Sequence, residues 1–274
     1  MQVSGIYTED EKSIRDFLND IHVYETYDNL LENSDAVYII SSPQRHYYDI
    51  RHALEQGKHV LCESPITLSE EQCKELFMFA REKHCVLMDA IKTAYATAYH
   101  RMLLLVKTGI IGTPKSIDAT CTSIRSVDMS DPKAMERSWN SISAWGPTAL
   151  LPVLQIFGTD YNDERIITWM DNEEYHYDAF TKIDFCYPGA VASVKVGQGV
   201  KSEGELVISG TKGYIYVPAP WWKTEYFEVR FENPENNRRY FYQLDGEGIR
   251  YELVSFVRSI ESGKCMTNIE ENIS

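Results

Sequence analysis

The 274-residue sequence lacks the features of several large protein classes. No apolar run approaches the roughly 20 residues that cross a bilayer, so we expect no membrane-spanning helix. Positive charge is scarce, with 27 Lys and Arg against 41 Asp and Glu. The resulting net charge of −14 would repel nucleic acids and anionic membranes, so we expect neither as a partner.

Cysteine is sparse and unpatterned. The six cysteines form no C-x-x-C pair, and no secretory signal precedes them. We therefore expect reduced thiols and a cytoplasmic location. The seven histidines have no metal-ligand spacing either, so no metal site is predicted.

Glycine is rare in the first part of the chain, where only Gly5 precedes Gly57. A dinucleotide-binding turn has the pattern G-x-G-x-x-G between a strand and a helix, because glycines let the backbone approach the pyrophosphate. The sequence contains no such turn before its first alternating strands and helices.

The first part of the chain alternates strands with helices. Apolar runs predict strands, and amphipathic segments predict helices between them, one capped by Ser69. The strands are predicted over residues 3–8, 35–42, 59–63 and 85–90, and the helices over 10–20, 27–34, 45–58 and 70–84. Alternation at this spacing indicates a doubly wound parallel sheet.

The pattern then changes to strands joined by short turns, which predicts one antiparallel or mixed sheet. The strands are expected over residues 115–125, 165–171, 180–187, 190–197, 204–210, 213–218, 226–231 and 238–244. Helices are expected over 98–109, 148–158 and 247–263. We therefore divide the chain into two domains, 1–97 and 98–274.

Three segments resemble a known family. "SDAVYIISSPQRH" and "HALEQGKHVLCESPITLS", residues 34–46 and 52–69, are similar to the Gfo/Idh/MocA (glucose-fructose oxidoreductase, inositol dehydrogenase) family, as is "GELVISGTKGYIYVPAPWW", residues 204–222. The resemblance implies an α/β fold: an incomplete Rossmann-like doubly wound parallel sheet followed by an α+β domain with a large, mostly antiparallel sheet. The resemblance also implies NAD or NADP as cofactor. The family's first strand and glycine loop are missing from this sequence, so this chain alone need not bind the cofactor.

The family's catalytic positions have changed. The resemblance places its lysine of E-K-P on Ser64, its aspartate on Ala144 and its histidine or tyrosine on Thr148. Serine carries no cation and does not titrate near neutrality. Two functions therefore stay open: an NAD(P)-dependent oxidoreductase of a sugar or cyclitol-like substrate, or a non-catalytic descendant that binds a sugar-like ligand or a protein partner.

Other residues could still act at the carboxyl ends of the strands, where open α/β sheets bind ligands. Lys92 and Tyr95 are the candidate catalytic pair, since a buried lysine beside a tyrosine can transfer protons. The candidate substrate contacts are Tyr99, Arg101, Trp145 and Thr148. The resemblance implies cofactor contacts at Ser41, Ser42, Pro43, His46, Glu63 and Pro65, with a bend at Pro65 that a cis bond would hold.

Two further expectations concern the ends and the surface. The sequence is either a truncated form of a longer protein, in which residues 266–274 begin a final helix, or a protein that works without the missing unit. A large sheet with one uncovered face exposes apolar area that subunit pairing would bury. We therefore expect a homo-oligomer formed through the C-terminal sheet.

Overall fold

The computed structural model describes residues 2–9, 21–131, 134–135 and 138–263. The helix predicted over residues 10–20 and the segment 266–274 lie outside these ranges. Within the described ranges, no helix is both long enough and apolar enough to span a membrane.

A parallel sheet forms the first part of the chain, as predicted. Its three strands lie in the order β1, β2, β3. Thr26 and Ser69 cap the first and third helices by accepting hydrogen bonds from the backbone amides of Asn29 and Gln72. The elements are α1 (Tyr27–Glu32), β1 (Ala36–Ile39), α2 (Pro43–Glu55), β2 (His59–Glu63), α3 (Glu70–Glu82) and β3 (Leu87–Ala90).

The predicted first strand is barely formed. Within residues 3–8, Ile6 makes a single parallel bridge to Val23, and its amide donates to the His22 carbonyl at 2.8 Å. In the described residues β1 has only β2 as a paired neighbour, so it is an edge strand. Tyr38, on β1, is accordingly 37% exposed, which fits the predicted incomplete sheet.

A mixed eight-stranded sheet forms most of the remaining chain, in the order β11-β10-β9-β8-β4-β7-β6-β5. The pair β4–β7 is parallel and the other pairs are antiparallel. The elements are α4 (Lys92–Tyr95), α5 (Thr97–Lys107), β4 (Pro114–Thr122), α6 (Ser141–Phe157), β5 (Asp163–Asn172), β6 (Tyr177–Tyr187), β7 (Ala190–Gly197), β8 (Leu206–Gly210), β9 (Tyr214–Val217), β10 (Tyr226–Arg230), β11 (Arg238–Phe241) and α7 (Ile249–Ser262).

Helix α6 begins seven residues before its predicted start at residue 148. The side chain of Asn140, the residue before the helix, accepts from the Ser143 amide at 2.8 Å, and Asp178, on the distant strand β6, accepts from the Ile142 amide at 3.2 Å. These bonds satisfy amides that a helix start leaves free. Tertiary contacts therefore extend the helix even though Pro147 lies inside it.

The two faces of the parallel sheet are covered by helices from different parts of the chain. Ile50 of α2 and Leu76 of α3 pack on one face. Phe256 of α7, the last described helix, packs against Leu61 and Met88 on the other. The predicted domain boundary between residues 97 and 98 stays a prediction. Helix α7 follows that boundary in the chain, yet it packs on the sheet that precedes it, because this face of the sheet needs apolar cover.

Candidate functional site

Polar side chains gather where β2 and β3 end, at the carboxyl edge of the parallel sheet. Glu63 is the last residue of β2, Ser64 follows it, and Asp89 is the penultimate residue of β3. The strand register pairs Glu63 with Ala90, so these side chains reach the same edge. Ligands bind at this edge in open α/β sheets.

Ser64 has a carboxyl partner. Its hydroxyl donates to Asp89 Oδ1 at 2.5 Å, and the Tyr95 hydroxyl donates to the Asp89 backbone carbonyl at 3.2 Å. The peptide bond between Ser64 and Pro65 is cis, which confirms the predicted bend. We call the hydrogen-bonded side chains of Ser64 and Asp89 the Ser64–Asp89 pair.

Asp89 is poised to exchange protons near neutral pH. Burial raises its pKa to about 7, and the charge of Glu63 raises it too, whereas the hydrogen bond from Ser64 lowers it. A carboxyl group with such a pKa can both accept and release a proton at physiological pH.

A second group, the Tyr38 cluster, lies on the face of the sheet that α7 covers and consists of Tyr38, Glu63 and Glu252. The Tyr38 hydroxyl lies 2.5 Å from Glu63 Oε1 and 3.3 Å from Glu252 Oε1. Burial, then the charge of Glu63, raises the pKa of Glu252 to about 7, while Lys92 lowers it. Glu252 is fully buried, and its Oε2 has no hydrogen-bond partner among the described residues.

The predicted catalytic pair lies beside both groups. Lys92 begins α4 and is half-buried, and its charge lowers the pKa of Glu252, which burial raises. Tyr95 ends the same helix and contacts the Asp89 backbone. The structure thus brings Lys92 and Tyr95 to the carboxyl edge, and their catalytic role stays a prediction.

The predicted cofactor contacts at the end of β1 are tied together by His46. This buried side chain places Nδ1 2.8 Å from the Pro65 carbonyl oxygen and Nε2 2.8 Å from the Ser41 carbonyl oxygen. The Ser41 hydroxyl donates to Asp49 at 2.7 Å. Ser42 and Pro43 begin α2, which starts with no side-chain cap. His46 therefore holds the β1–α2 loop against the bend after β2.

Aromatic side chains approach α4 from the second sheet. The rings of Trp145 and Trp222 lie 4.8 Å apart, and the Trp145 indole donates to the Ser123 hydroxyl at 3.1 Å. Thr93, on α4, donates to the Trp222 carbonyl at 2.9 Å. Two half-buried tryptophans thus lie beside the helix that carries Lys92 and Tyr95.

The other predicted substrate contacts are placed differently. Tyr99 is 1% exposed and donates to Gln155 Oε1 at 2.7 Å, because the apolar face of α5 packs into the core of the large sheet. Its hydroxyl therefore has a partner inside the protein rather than at a ligand surface. Arg101 is exposed on α5, and Thr148 is half-buried on α6.

Sequence reasoning did not identify Asp89, Tyr38 or Glu252. Asp89 could have been predicted as a site residue, because it is an acid near the end of the apolar run "CVLMDA". Glu252 had no such signal, because only the packing of α7 on the first sheet brings it to this edge. Among the described residues, no group of three His, Cys, Asp or Glu side chains is arranged to hold a metal ion.

A separate groove of about 710 Å³ runs along the outer side of α7. It is lined mainly by aliphatic side chains, including Ile249, Leu253 and Val257. Neither the Ser64–Asp89 pair nor the Tyr38 cluster lines it, so the candidate site remains the carboxyl edge.

Comparison with known proteins agrees with this architecture. Residues 1–90 match the Gfo/Idh/MocA family, described as an oxidoreductase family with an NAD-binding Rossmann fold. Over these residues the chain is similar to this family. Its members are NAD(P)-dependent oxidoreductases of sugars or cyclitols.

Two relatives show how far the likeness extends. A D-xylose 1-dehydrogenase (NADP⁺) of Hypocrea jecorina is 27% identical over 79% of this chain and 61% of its own length. A trans-1,2-dihydrobenzene-1,2-diol dehydrogenase of Xenopus laevis is 26% identical over 92% of this chain and 78% of its own length. This chain therefore spans less than two thirds of the first relative.

A solved structure supports the fold. A 3-ketoreductase from Actinomadura kijaniata, crystallised with NADP and TDP-benzene, superimposes with a TM-score of 0.83. The superposition covers 99% of this chain and 85% of the ketoreductase, at 18% identity. At that identity the likeness establishes the fold alone.

The described residues at the carboxyl edge do not form a complete site for a nicotinamide dinucleotide. Glu252 is fully buried and its unpartnered Oε2 is shielded from solvent, so it does not face a ligand. The pyrophosphate end does not fit the described residues, because they form no glycine turn at a helix N-terminus and the edge is acidic.

Proposed function

We propose that this chain forms the substrate side of an NAD(P)-dependent oxidoreductase that acts on a hydroxylated ring, such as a sugar or a cyclic diol. The observation that carries the proposal is the hydrogen bond at this sheet edge from the Ser64 hydroxyl to Asp89 Oδ1, at 2.5 Å, beside a carboxyl group whose pKa burial raises to about 7. Proton transfer in alcohol oxidation needs such a group.

The surroundings suit a ring with several hydroxyl groups. Carboxylates accept hydrogen bonds from hydroxyls, and Trp145 and Trp222 offer aromatic faces to the C–H face of a ring. Lys92 would orient a substrate oxygen through its cation. The nicotinamide, when bound, supplies the chemistry of hydride transfer.

A binding protein without turnover is the second candidate. It is favoured by the side chains at the family's catalytic positions, Ser64, Ala144 and Thr148, none of which titrates near neutrality by itself. In this case the carboxyl edge would bind a sugar-like ligand or a protein partner.

One experiment separates the two functions. The purified chain is mixed with NAD⁺ or NADP⁺ and a panel of aldoses, cyclitols and trans-diols, and the absorbance of the reduced nicotinamide is followed. The first proposal expects turnover of at least one compound. Saturable quenching of tryptophan fluorescence by a compound that is not turned over would instead support the binding protein.

We also propose that two copies associate through the outer face of the large sheet, in a reducing, cytoplasmic location. Strands β5 and β7 expose apolar side chains on this face: Ile167 is 48% exposed, Trp169 53% and Val191 53%. The described cysteines are unpaired, as a reducing compartment requires.

Substitution of Trp169 tests this association. Trp169→Lys places a charge on the apolar patch and should convert the oligomer to a monomer in sedimentation velocity, because burying an unpaired charge is costly. Tyr48→Lys, at an exposed aromatic residue on α2, is the matched control and should leave the mass unchanged. A wild-type chain that sediments as a monomer would contradict the proposal.

A further inference from the structure

Helix α7 buries few apolar side chains against the parallel sheet. Three of its residues are buried, and two of them, Glu252 and Ser259, are polar. The third, Phe256, packs against Leu61 and Met88 of the sheet. The Ser259 hydroxyl donates to a carbonyl of its own helix at 2.9 Å, so this bond does not tie the helix to the sheet. Segments with few buried apolar contacts open more easily than the rest of a protein.

Glu252 joins α7 to two strands of the sheet through the Tyr38 cluster. Tyr38 belongs to β1 and Glu63 to β2, and the Tyr38 hydroxyl lies 2.5 Å from Glu63 Oε1 and 3.3 Å from Glu252 Oε1. A phenol has one proton to donate. The shorter distance assigns this proton to Glu63, so the phenol oxygen faces Glu252 as an acceptor. Protonated Glu252 can then donate to Tyr38, and a continuous chain of hydrogen bonds runs from α7 to Glu63.

This chain of hydrogen bonds requires the proton on Glu252. Burial and the hydrogen bond to Glu63 raise the pKa of Tyr38, so the phenol does not ionise. An ionised Glu252 would leave two carboxylates sharing the one Tyr38 proton, with Glu252 Oε2 unpartnered among the described residues. A buried charge without a full set of partners is costly. Loss of the proton therefore weakens the contact between the helix and the sheet.

The segment before α7 allows the helix to move as a unit. Gly246, Glu247 and Gly248 have positive φ angles of 57°, 55° and 92°, so the helix begins abruptly after them. Glycine adopts such angles freely, whereas other residues rarely do. The exposed ion pair between Glu247 and Lys223, at 2.9 Å, holds this segment, and exposed pairs contribute little to stability.

We propose that α7 is a pH-sensitive cover: protonated Glu252 holds it on the parallel sheet, and loss of that proton opens it about residues 246–248. The cover rests on two features of the molecule, the proton-dependent contact between Glu252 and Tyr38 and the left-handed segment before the helix. It goes beyond the proposed function, because neither a substrate nor a cofactor takes part in it.

Opening of α7 affects the helix that carries the candidate catalytic pair. Tyr95, at the end of α4, packs in the same apolar cluster as Phe256. At the start of α4, Lys92 lies so close to Gly248 that a Cβ atom added to the glycine would be 3.4 Å from the lysine Cβ. Movement of α7 therefore uncovers one side of α4 at the carboxyl edge.

The charged groups around Glu252 set the pH range of the opening. Burial, then the charge of Glu63, raises the pKa of Glu252 to about 7, and Asp89 on β3 raises it too. Lys92 on α4 and the hydrogen bond with Tyr38 act in the opposite direction. The contribution of the proton is complete below pH 4.5, decreases as the pH rises, and is lost above about pH 7.

Hydrogen–deuterium exchange of the purified chain, followed by mass spectrometry, measures the opening without substrate or cofactor. After correction for intrinsic exchange rates, the protection of the α7 amides should fall by about 10–100-fold between pH 5 and pH 8, because each pKa unit corresponds to a factor of ten. The helix should be less protected than α5, which packs in the core of the large sheet. Low concentrations of urea should leave the protection of α7 unchanged, because a local opening exposes little surface.

Three variants assign the effect to the proton. Glu252→Gln keeps a donor for the Tyr38 oxygen at every pH, so its α7 should stay protected near both pH 5 and pH 8. Tyr38→Phe removes the middle of the chain of hydrogen bonds and should lower the protection of α7 near pH 5 as well. Glu261→Gln, at an exposed position on α7, is the matched control and should behave like the wild type. The pKa of Asp89, about 7, lies in the same range, and the Glu252→Gln comparison removes its contribution.

Three results would overturn the proposal. The first is a protection of α7 that does not change between the two pH values, and the second is an equal fall in Glu252→Gln. The third is a protection of α7 that equals that of α5 and decreases with urea in the same way, because the helix would then open only when the whole protein unfolds. Turnover in the panel assay affects none of these results, so failure of the proposed function and failure of the cover are distinguishable.

Discussion

Glu252 should make the protein less stable as the pH rises through neutrality. The side chain is fully buried on α7 beside Glu63 and Tyr38, and its pKa rises from 4.5 to about 7 in the folded protein. The folded state therefore binds a proton more tightly than the unfolded state does. Stability falls between pH 4.5 and pH 7 and then levels off.

The size of the effect follows from the pKa difference. One pKa unit corresponds to about 1.4 kcal/mol, so the rise at Glu252 amounts to roughly 3 kcal/mol between acidic and alkaline pH. Glu252→Gln keeps the shape of the side chain and an oxygen that can accept from Tyr38, but it has no proton to lose. The variant should match the wild type near pH 4, below the unfolded pKa, and exceed it by up to about 3 kcal/mol near pH 8.

Urea unfolding at both pH values measures this difference. Subtracting wild type from variant cancels the contribution of Asp89, which both proteins share. Glu261→Gln, at an exposed position on the same helix, is the matched control and should change stability by less than about 0.5 kcal/mol. A stability difference between Glu252→Gln and wild type that is the same at both pH values would refute the reasoning.

Two further predictions concern side chains that tie loops to the sheets. His46→Ala removes a fully buried ring whose two nitrogens each lie 2.8 Å from a backbone carbonyl oxygen, to one of which a neutral imidazole donates. The lost packing and hydrogen bond should lower the free energy of unfolding, measured with urea, by about 3 kcal/mol, and a loss below about 1 kcal/mol would contradict it. Asp178→Ala removes the carboxyl group that accepts from the Thr181 hydroxyl and from the Ile142 amide at the start of α6. It should lower the free energy of unfolding by about 3 kcal/mol in the same measurement, whereas Asp118→Ala, on the exposed side of β4, should lower it little. Equal losses in the two variants would show that capping is not the cause.

The order of strands and helices was predictable because it depends on local patterning. The run "HVLCE" and the alternation of β6 and β7 identify their strands within a few residues of the observed bounds. The start of α6 was not predictable, because Asp178 supplies part of its cap from a distant strand. The first predicted strand is reduced to a bridge at Ile6, since sequence alone does not show whether a strand has a neighbour with which to pair.

The candidate site was predictable in part, for a similar reason. Lys92 and Tyr95 were found because they follow a strand directly, and the structure brings both to the carboxyl edge. Tyr99 follows closely in sequence, but the turn of α5 directs it into the core. The type of a residue predicted which chemistry its side chain can perform, whereas tertiary packing decided whether the side chain points to the carboxyl edge or into the core.

The amino-acid sequence by itself indicated the family resemblance and the two kinds of sheet, because these depend on residue type and on short-range spacing. Only the tertiary structure decided that Ser64 lies against Asp89 and that Glu252 is buried beside Glu63. These contacts join residues from neighbouring strands and from the last helix, and burial beside like charge then raises the pKa values of both carboxyl groups.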